Sequence, residues 1–294
     1  MLDLRLNNVP VNTETVRNRP VGKVNDLKGH PCFNPGDHHR FGRIHLPVAP
    51  RCNIKCGYCD RKLDCANETR PGTSSRVITP EEALLALQKA LVEEPRIRVA
   101  AVAGPGDPLA NEETFRTFEL VSKTYSGMIK CLSTNGLFLP GKVDRLALLG
   151  LKALTVTLNA VHPEIGSRIY EWVDYEGERL TGYDAADRLI KNQLEGIKRA
   201  VELGISVKVN TVLIPGINDS HVEEIAQTVK ELGVHLMNIM PLYPAASFKD
   251  FARPTASQLQ EVRSTASGIL PQMTWCRQCR ADAYGLLSAE TCLS

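Results

Sequence analysis

Three closely spaced cysteines are the strongest indication of chemistry in this 294-residue sequence. Cys52, Cys56 and Cys59 lie in the segment Cys-Asn-Ile-Lys-Cys-Gly-Tyr-Cys, where Gly57 allows a tight turn and three thiolates can reach one metal centre. A structural zinc site is closed by four protein ligands, whereas three cysteines on a 4Fe–4S cluster leave one iron open. The spacing alone is compatible with an open iron–sulfur cluster and with zinc that has a distant fourth ligand.

Six further cysteines are spread along the chain. They are Cys32, Cys65, Cys131, Cys276, Cys279 and Cys292. The first residues contain no apolar stretch or cleavage site typical of an export signal, so we expect thiolate chemistry in the reducing cytoplasm. The Cys276-x-x-Cys279 pair by itself fits zinc or a redox pair equally well, and we interpret Cys292 as incidental.

Composition argues against several classes of protein. Hydrophobic residues make up 43% of the chain, which is enough to bury a large core. Thirty-five Lys and Arg against 33 Asp and Glu give a net charge of +2, and this balance disfavours a nucleic-acid or acidic-membrane partner. No apolar run approaches the ~18 residues that a membrane span requires.

The sequence predicts six strand–helix units that position the cysteines. Strands are predicted at 43–48, 97–103, 128–134, 152–159, 205–213 and 234–240. Helices are predicted from Thr79 onward and at 111–124, 141–149, 184–203, 220–232 and 255–268. This alternation indicates a parallel sheet with right-handed crossovers. We predict an α/β fold, a six-unit partial (β/α) barrel, with a doubly wound sheet as the alternative.

Around this barrel, assigned to residues 41–250, we predict two extensions. Residues 1–40 would form an N-terminal arm that contains Cys32, and residues 251–294 a C-terminal helix followed by the Cys-x-x-Cys pair.

Four of the predicted strands have an apolar and a polar face, whereas the strand at 97–103 is nearly all apolar. Thr155, Thr157 and Asn159 alternate with apolar residues on the fourth strand, and Lys208 and Asn210 do so on the fifth. The outer face of a barrel packs on helices, so the polar set must point into the lumen. Because small barrels usually fill the lumen with Val, Ile and Leu and unsatisfied polar groups are costly to bury, we predict a lumen that holds a polar ligand.

On these motifs the sequence resembles the radical S-adenosylmethionine (SAM) enzymes. Their hallmark is a Cys-x-x-x-Cys-x-x-Cys loop after the first strand of a six-unit barrel, with an aromatic residue before the last cysteine, here Tyr58. The resemblance covers about residues 40–245. It implies that Cys52, Cys56 and Cys59 are catalytic and hold a 4Fe–4S cluster whose open iron binds SAM. Electron transfer to SAM would yield a 5′-deoxyadenosyl radical.

The resemblance also implies a SAM site. Gly104, Gly106 and Asp107, which follow the second strand, would lie against its methionine end, because glycine allows close backbone approach; a simple tight turn is the alternative. The nucleoside pocket would be lined by residues at the carboxyl ends of the strands. They are Thr134, Asn135, Thr157, Asn159, Asn210 and Met240.

Within this family, the remaining cysteines resemble those of the maturases that build the nitrogenase cofactor. The resemblance implies two substrate 4Fe–4S clusters, so that SAM and three 4Fe–4S clusters are expected in all. One substrate cluster would be held by Cys32, His45 and Cys131, and the other by Cys65, Cys276 and Cys279. Three sites with three ligands each need nine ligands, which eight cysteines and one histidine supply.

Two of these assignments have alternatives. His45 is preferred to His30, His38 and His39 because its parity places it in the lumen, although a lone lumen histidine is more often a hydrogen-bonded core residue. Glu68 would ligate a cluster transiently or move a proton; a surface carboxylate paired with an arginine is the equal alternative.

The implied reaction uses two SAM molecules, one as methyl donor and one as radical source. The methyl carbon becomes a carbide as the two clusters couple, with an added sulfur, into an eight-iron core. An iron–sulfur cluster donor, an electron donor and a carrier or scaffold protein that receives the product are the implied partners. The chain stops soon after Cys279 without an appended carrier domain, so we expect that carrier to be separate.

Two other functions remain open at this point. Another radical SAM enzyme with auxiliary clusters, such as the one that rearranges GTP for molybdopterin, would share the first motif but would not need Cys32 and Cys131. A non-catalytic iron–sulfur scaffold would have no use for the open three-cysteine loop. Cleavage of SAM under reduction distinguishes the scaffold from either enzyme.

Overall fold

The computed structural model describes residues 27–60 and 73–293. Cys65 and Glu68, two of the residues predicted above, lie outside this range. In the described part of the chain, no helix is long and apolar enough to cross a membrane.

Eleven strands form two sheets in the described ranges. They are β1 Gly42–His45, β2 Ile54–Cys56, β3 Ile97–Val102, β4 Ile129–Thr134, β5 Leu151–Thr157, β6 Tyr170–Tyr175, β7 Glu178–Leu180, β8 Ser206–Leu213, β9 Leu236–Pro241, β10 Ala283–Leu286 and β11 Ala289–Cys292. The large sheet has the order β11-β10-β1-β3-β4-β5-β8-β9, and the small one β2-β6-β7. Strands β1, β3, β4, β5, β8 and β9 are parallel. These are the six predicted strands, in chain order, and the prediction of a six-unit partial α/β barrel is confirmed.

Seven α-helices connect and cover the strands in these ranges. They are α1 Pro80–Glu93, α2 Glu112–Thr124, α3 Leu139–Leu148, α4 Pro163–Gly166, α5 Gly182–Glu202, α6 Val222–Glu231 and α7 Ala256–Ser267. Helix α1 begins where its sequence predicts. The Thr79 side chain accepts from the Glu82 backbone N–H at 3.2 Å, and the Glu82 carboxylate accepts from the Thr79 backbone N–H at 2.7 Å, which is a capping box.

The two faces of the strands separate as predicted. Ile44, Leu154 and Val207 belong to the main apolar core between the sheet and its helices. Residues of the opposite parity, such as Thr155 and Lys208, line a cavity on the inner side of the sheet. This cavity takes the place of the apolar lumen of an ordinary small barrel.

Two hairpins are additions to the predicted elements. Strands β6 and β7 pair with each other and with β2, which lies inside the three-cysteine loop. Strands β10 and β11 extend the large sheet beyond β1, with Ile44 opposite Tyr284 in antiparallel register. The C-terminal extension therefore covers the β1 edge of the barrel, and β9 and β11 are the outermost strands of the sheet as described.

Candidate functional site: a thiol-lined lumen

The cavity lies at the centre of the candidate site. Its volume is about 350 Å³, within the range of ligand-binding pockets. It is lined by five cysteines, two histidines and three cations: Cys32, Cys59, Cys131, Cys276, Cys279, His30, His45, Arg43, Lys208 and Arg277. One chamber thus brings together cysteines that are up to 247 positions apart in the sequence.

The three-cysteine loop is fixed by the added hairpin. Lys55, between the first two cysteines of the motif, pairs with Trp172 of β6, and the Gly57 N–H donates to the Ile169 carbonyl at 2.8 Å. The Cys59 N–H donates to the Cys56 carbonyl at 3.0 Å. These bonds fold the loop back on itself, and its three cysteines, Cys52, Cys56 and Cys59, are thiols.

Gly57 is required for a different reason from the one predicted. A Cβ at this position would overlap the Phe248 ring, and the Phe248 N–H donates to the Gly57 carbonyl at 3.1 Å. Close packing against the segment after β9, rather than an unusual backbone angle, therefore excludes a side chain at residue 57.

Tyr58, the aromatic residue of the motif, is held by Asn159. The Asn159 Nδ2 donates to the Tyr58 hydroxyl at 2.8 Å, and its Oδ1 accepts from the Val212 N–H at 2.9 Å. Asn159 is fully buried, so in this structure it anchors Tyr58 and is not among the residues that line the cavity. Burial raises the pKa of the Tyr58 hydroxyl well above its usual value, which keeps it a neutral phenol.

The glycine-rich loop after β3 packs against and hydrogen-bonds to Arg51, the residue before Cys52. A Cβ on Gly106 would overlap the Arg51 carbonyl, and the Asp107 N–H donates to that carbonyl at 2.8 Å. Asn111 adds a two-way link, because its Oδ1 accepts from the Arg51 N–H at 3.2 Å and its Nδ2 donates to the Arg51 carbonyl at 2.8 Å. The loop therefore sets where the cysteine motif begins.

The Asp107 carboxylate organises the end of β4. It accepts from the Thr134 hydroxyl at 2.8 Å, the Asn135 N–H at 2.6 Å and the Leu109 N–H at 2.9 Å. The Asn135 Nδ2 in turn donates to Asn53 Oδ1 at 2.7 Å and lies 3.8 Å from the Cys52 sulfur. Asp107, Thr134 and Asn135 are predicted SAM-binding residues, and in this structure they connect the sheet to the cysteine loop.

Three other predicted SAM-binding residues line the cavity directly. They are Thr157, Asn210 and Met240, and Tyr58 lines the same cavity. The Asn210 Oδ1 accepts from Asn238 Nδ2 at 3.1 Å. Gly104 and Gly106 are outside the lining, whereas Ala103 and Pro105 beside them belong to it.

Cys32, His45 and Cys131, the predicted ligands of the first substrate cluster, meet on the cavity wall. In the sheet register His45 is opposite Ala101, and Ala101 is opposite Cys131. The row continues to Ala153 on β5, and Cys32 packs against the apolar group that contains Cys131 and both alanines. Alanine leaves open space where a barrel usually carries a large aliphatic side chain, so the two strand ligands face a gap.

Burial has opposite consequences for metal binding at two of these ligands: it favours the neutral imidazole of His45 and disfavours the thiolate of Cys131. The His45 Nδ1 lies 2.7 Å from the Arg280 carbonyl, so that it carries the proton and Nε2 keeps its lone pair. Burial, helped by the charge of Arg43, lowers the pKa of His45 to about 4. Burial and the neighbouring Cys32 raise the pKa of Cys131 to about 12, and metal binding would have to displace that proton.

Of the three rival histidines, only His30 lines the cavity. Its Nδ1 accepts from the Cys32 N–H at 3.1 Å, which orients the cysteine, and its Nε2 is buried without a hydrogen-bond partner in the described structure. His38 stacks on Trp275 with ring centroids 5.7 Å apart. His39 is exposed. His45 stays the predicted ligand, because the neutral His30 ring uses the lone pair of Nδ1 for the Cys32 N–H and carries its proton on Nε2.

Two of the three predicted ligands of the second substrate cluster also line the cavity. The Gln278 N–H lies 3.4 Å from the Cys276 sulfur, and Gln278 has a φ of 53° that turns the chain between the two cysteines. Arg43, a residue of β1 that also lines the cavity, donates from Nη2 to the Cys279 sulfur at 2.8 Å. A guanidinium at this distance stabilises a thiolate. The third predicted ligand, Cys65, is outside the described residues.

The C-terminal extension helps to position His45, which is not predictable from the sequence. Arg280 donates to the Asp282 carboxylate at 3.0 Å, and the Ser75 N–H donates to the same carboxylate at 2.7 Å. This buried pair holds the Arg280 carbonyl against His45. Opposite charges two residues apart are the only signal in the sequence, and they do not indicate such a long-range contact.

Comparisons with known proteins agree with this geometry. Residues 46–229 match the family model of the radical SAM superfamily. The chain is 46% identical to the FeMo cofactor biosynthesis protein NifB of Methanocaldococcus jannaschii, over 90% of this chain and 89% of the relative. It is 44% identical to the NifB of Chlorobaculum tepidum and 46% to that of Klebsiella pneumoniae, of which it spans 62% and 57%.

Solved structures support the fold at lower identity. A radical SAM methyltransferase from Sphaerobacter thermophilus superposes with a TM-score of 0.54 at 22% identity, over 79% of this chain and 64% of that one. SuiB of Streptococcus suis does so with a TM-score of 0.58 at 12% identity, over 80% of this chain and 50% of that one. The family match, the shared barrel and the archaeal relative together show that this chain belongs to the radical SAM superfamily and, within it, to the NifB family of FeMo cofactor biosynthesis proteins.

Proposed function

We propose that this protein is a SAM-dependent maturase that joins two 4Fe–4S substrate clusters into the core of the nitrogenase cofactor. A methyl carbon from SAM becomes the central carbide, and an added sulfur completes an 8Fe–9S–C product. The methyl-transfer and radical steps, and the count of two substrate clusters, belong to this proposal. Membership of the NifB family is the finding on which it rests.

The arrangement of the cavity carries the proposal. Cys59, from the radical-SAM motif, lines the same 350 Å³ chamber as members of both predicted substrate-cluster sites. Two reactants that share one chamber with the radical source can be coupled without leaving the protein. A single-cluster enzyme or a simple scaffold would not need thiols from the N-terminal arm, the barrel and the C-terminal extension in one cavity.

The residues present fit the groups that the family implies. Three thiols in one loop match the three-cysteine ligation that leaves an iron open, and when SAM is bound there the cluster would supply an electron for its cleavage. Thr157, Asn210 and Met240 line the cavity near Tyr58, where they would bind the nucleoside. His45 would hold the first substrate cluster less firmly than a third cysteine, because an imidazole is exchangeable.

The proposed partners are a donor of 4Fe–4S clusters, an electron donor, and a carrier or scaffold protein that accepts the product. Nucleic acid and membrane are not among them. We place the reaction in the cytoplasm, because nine cysteines that must stay reduced suit that compartment.

The test is turnover of methyl-labelled SAM by anaerobically reconstituted protein under reduction. The proposal predicts 5′-deoxyadenosine and S-adenosylhomocysteine together, with label retained in an iron–sulfur product. A variant with Cys52, Cys56 and Cys59 all replaced by alanine should form no 5′-deoxyadenosine. Formation of 5′-deoxyadenosine without labelled product would favour another radical SAM enzyme, and absence of both nucleosides would favour a scaffold.

A further inference from the structure

Lys208 is a buried cation that the predicted chemistry leaves without a role. It lies on β8, lines the cavity, and has only 6% of its surface exposed. Its Nζ lies 3.6 Å from the Met273 sulfur and 5.1 Å from the centre of the Phe33 ring. Neither contact supplies a negative charge, and no carboxylate within the described ranges forms an ion pair with it.

Cationic side chains also outnumber carboxylates among the described residues that line the cavity. Arg43, Lys208 and Arg277 line it, against one carboxylate, Asp60, among the described lining residues. Burying an ammonium without a counter-charge costs free energy unless a ligand supplies that charge. The natural occupant of this chamber is therefore anionic.

The sheet register places Lys208 between the two functional levels of the lumen. On β5 and β8, Ala153 is opposite Ser206, Thr155 is opposite Lys208, and Thr157 is opposite Asn210. Ala153 belongs to the row of His45 and Cys131, and Asn210 to the predicted SAM pocket. Along this face of the sheet, Lys208 thus lies one residue pair beyond the row of the substrate-cluster ligands, toward the predicted SAM pocket.

We propose that Lys208 is a positioning residue whose ammonium supplies the counter-charge for the anionic iron–sulfur substrate held by Cys32, His45 and Cys131, on the side of that substrate facing SAM. This inference rests on the proposed function for the identity of the substrate. Thiolates and sulfides carry the negative charge of the cluster, so the ammonium would favour its reduced, more negative state. The same attraction would direct a sulfide toward the predicted SAM pocket.

Surrounding groups agree with this role. Phe33, over which the ammonium lies, belongs to the apolar group that contains Cys131, Ala101 and Ala153. The Lys208 charge acts to lower the pKa of Cys131 against the larger effect of burial. It also contributes, after burial, to the lowered pKa values of His30 and His235.

The test compares three variants in a background where Cys276 and Cys279 are serine, so that the first substrate site can be followed. K208M removes the charge and keeps the length, and K208R keeps the charge. K130M is the matched control, because Lys130 is equally buried on β4 at 6% exposure but is not among the cavity-lining residues. Thermal unfolding checks that each variant folds.

The readout is a redox titration followed by electron paramagnetic resonance, with the SAM-responsive cluster as internal reference. For K208M we expect the cluster at the first substrate site to be reduced at a potential lower by about 59 mV, a tenfold change for one electron. We also expect this cluster to lose iron faster on gel filtration. K208R and K130M should match the parent. A K208M potential equal to the parent's would overturn the inference and leave the proposed function standing. A parent protein that binds only the SAM-responsive cluster would overturn both.

Discussion

At the scale of single residues, the His162, His221 and Glu224 side chains are a hydrogen-bonded group and not a metal site. Their ligand atoms lie within 4.8 Å of one another. However, the Val161 N–H donates to His221 Nε2 at 3.0 Å, so the His221 proton is on Nδ1, 3.1 Å from Glu224. With both ring nitrogens engaged, neutral His221 has no lone pair to offer a metal.

This arrangement makes a pH prediction. Burial lowers the pKa of His221 below its ordinary value of 6.5, although Glu224 opposes the shift. Below about pH 6.5 the unfolded chain takes up the proton first, so the folded state loses stability as the pH falls toward the folded pKa. H221Q keeps an acceptor and a donor but does not titrate.

We therefore expect the free energy of unfolding of the cluster-free protein to fall less steeply between pH 6.5 and 5 in H221Q than in wild type, by up to about 1.4 kcal/mol per pH unit. Urea denaturation at several pH values measures both slopes. All other groups are the same in both proteins, so their contributions cancel in the comparison. Parallel profiles would contradict the assigned protonation state.

Residue parity and the family resemblance predicted several of the residues that line the cavity, but they did not predict what each one contacts. Thr157, Asn210 and Met240 lie in the cavity as expected. Asp107 and Asn159 were assigned to SAM on the same grounds, yet their side chains bond to Thr134 and to Tyr58. Sequence position shows which end of a strand a residue occupies, whereas hydrogen-bond partners depend on loops that come from distant parts of the chain.

At the scale of elements, a row of small residues across neighbouring strands makes room for the first substrate site. Ala101 stands between His45 and Cys131 in the register and faces the cavity. Ala100, the preceding residue on β3, faces the helices and belongs to the main core. The two alanines differ in the face that they present and in little else.

A matched pair of substitutions follows from this difference. A101V should fill the gap between the two ligands, so that reconstituted protein falls from about twelve to about eight irons while the cluster-free protein keeps its stability. A100V should overpack the core and destabilise the fold by about 1–3 kcal/mol, with iron content unchanged in the folded protein. Iron analysis and urea denaturation measure both. Full iron loading of A101V would show that the row of alanines is not the cluster site.

The six barrel strands were predictable because most have the period-2 pattern of a strand with one face on helices, and β3 is a short, nearly continuous apolar run. The β6–β7 and β10–β11 hairpins were not. Strands β7, β10 and β11 have three or four residues each, too few to show a period. Their positions depend on pairing with β2 and β1, which lie more than 100 residues earlier in the chain.

At the scale of the whole molecule, the N-terminal arm, the barrel and the C-terminal extension complete one cavity between them. Trp275 Nε1 donates to the Pro31 carbonyl at 2.8 Å and joins the two extensions directly. Arg43 of the barrel bonds to Cys279 of the extension. Each predicted substrate site therefore draws on more than one part of the chain, so the protein has to fold completely before either site exists.

The proposed function requires this one cavity to hold two substrate clusters beside the radical cluster. Anaerobic iron quantification with electron paramagnetic resonance tests it most directly, on reconstituted wild type and on the variant with Cys52, Cys56 and Cys59 replaced by alanine. Three 4Fe–4S sites predict about twelve irons in wild type and about eight in the variant. About four irons in wild type, with zinc bound at Cys276 and Cys279, would contradict the account.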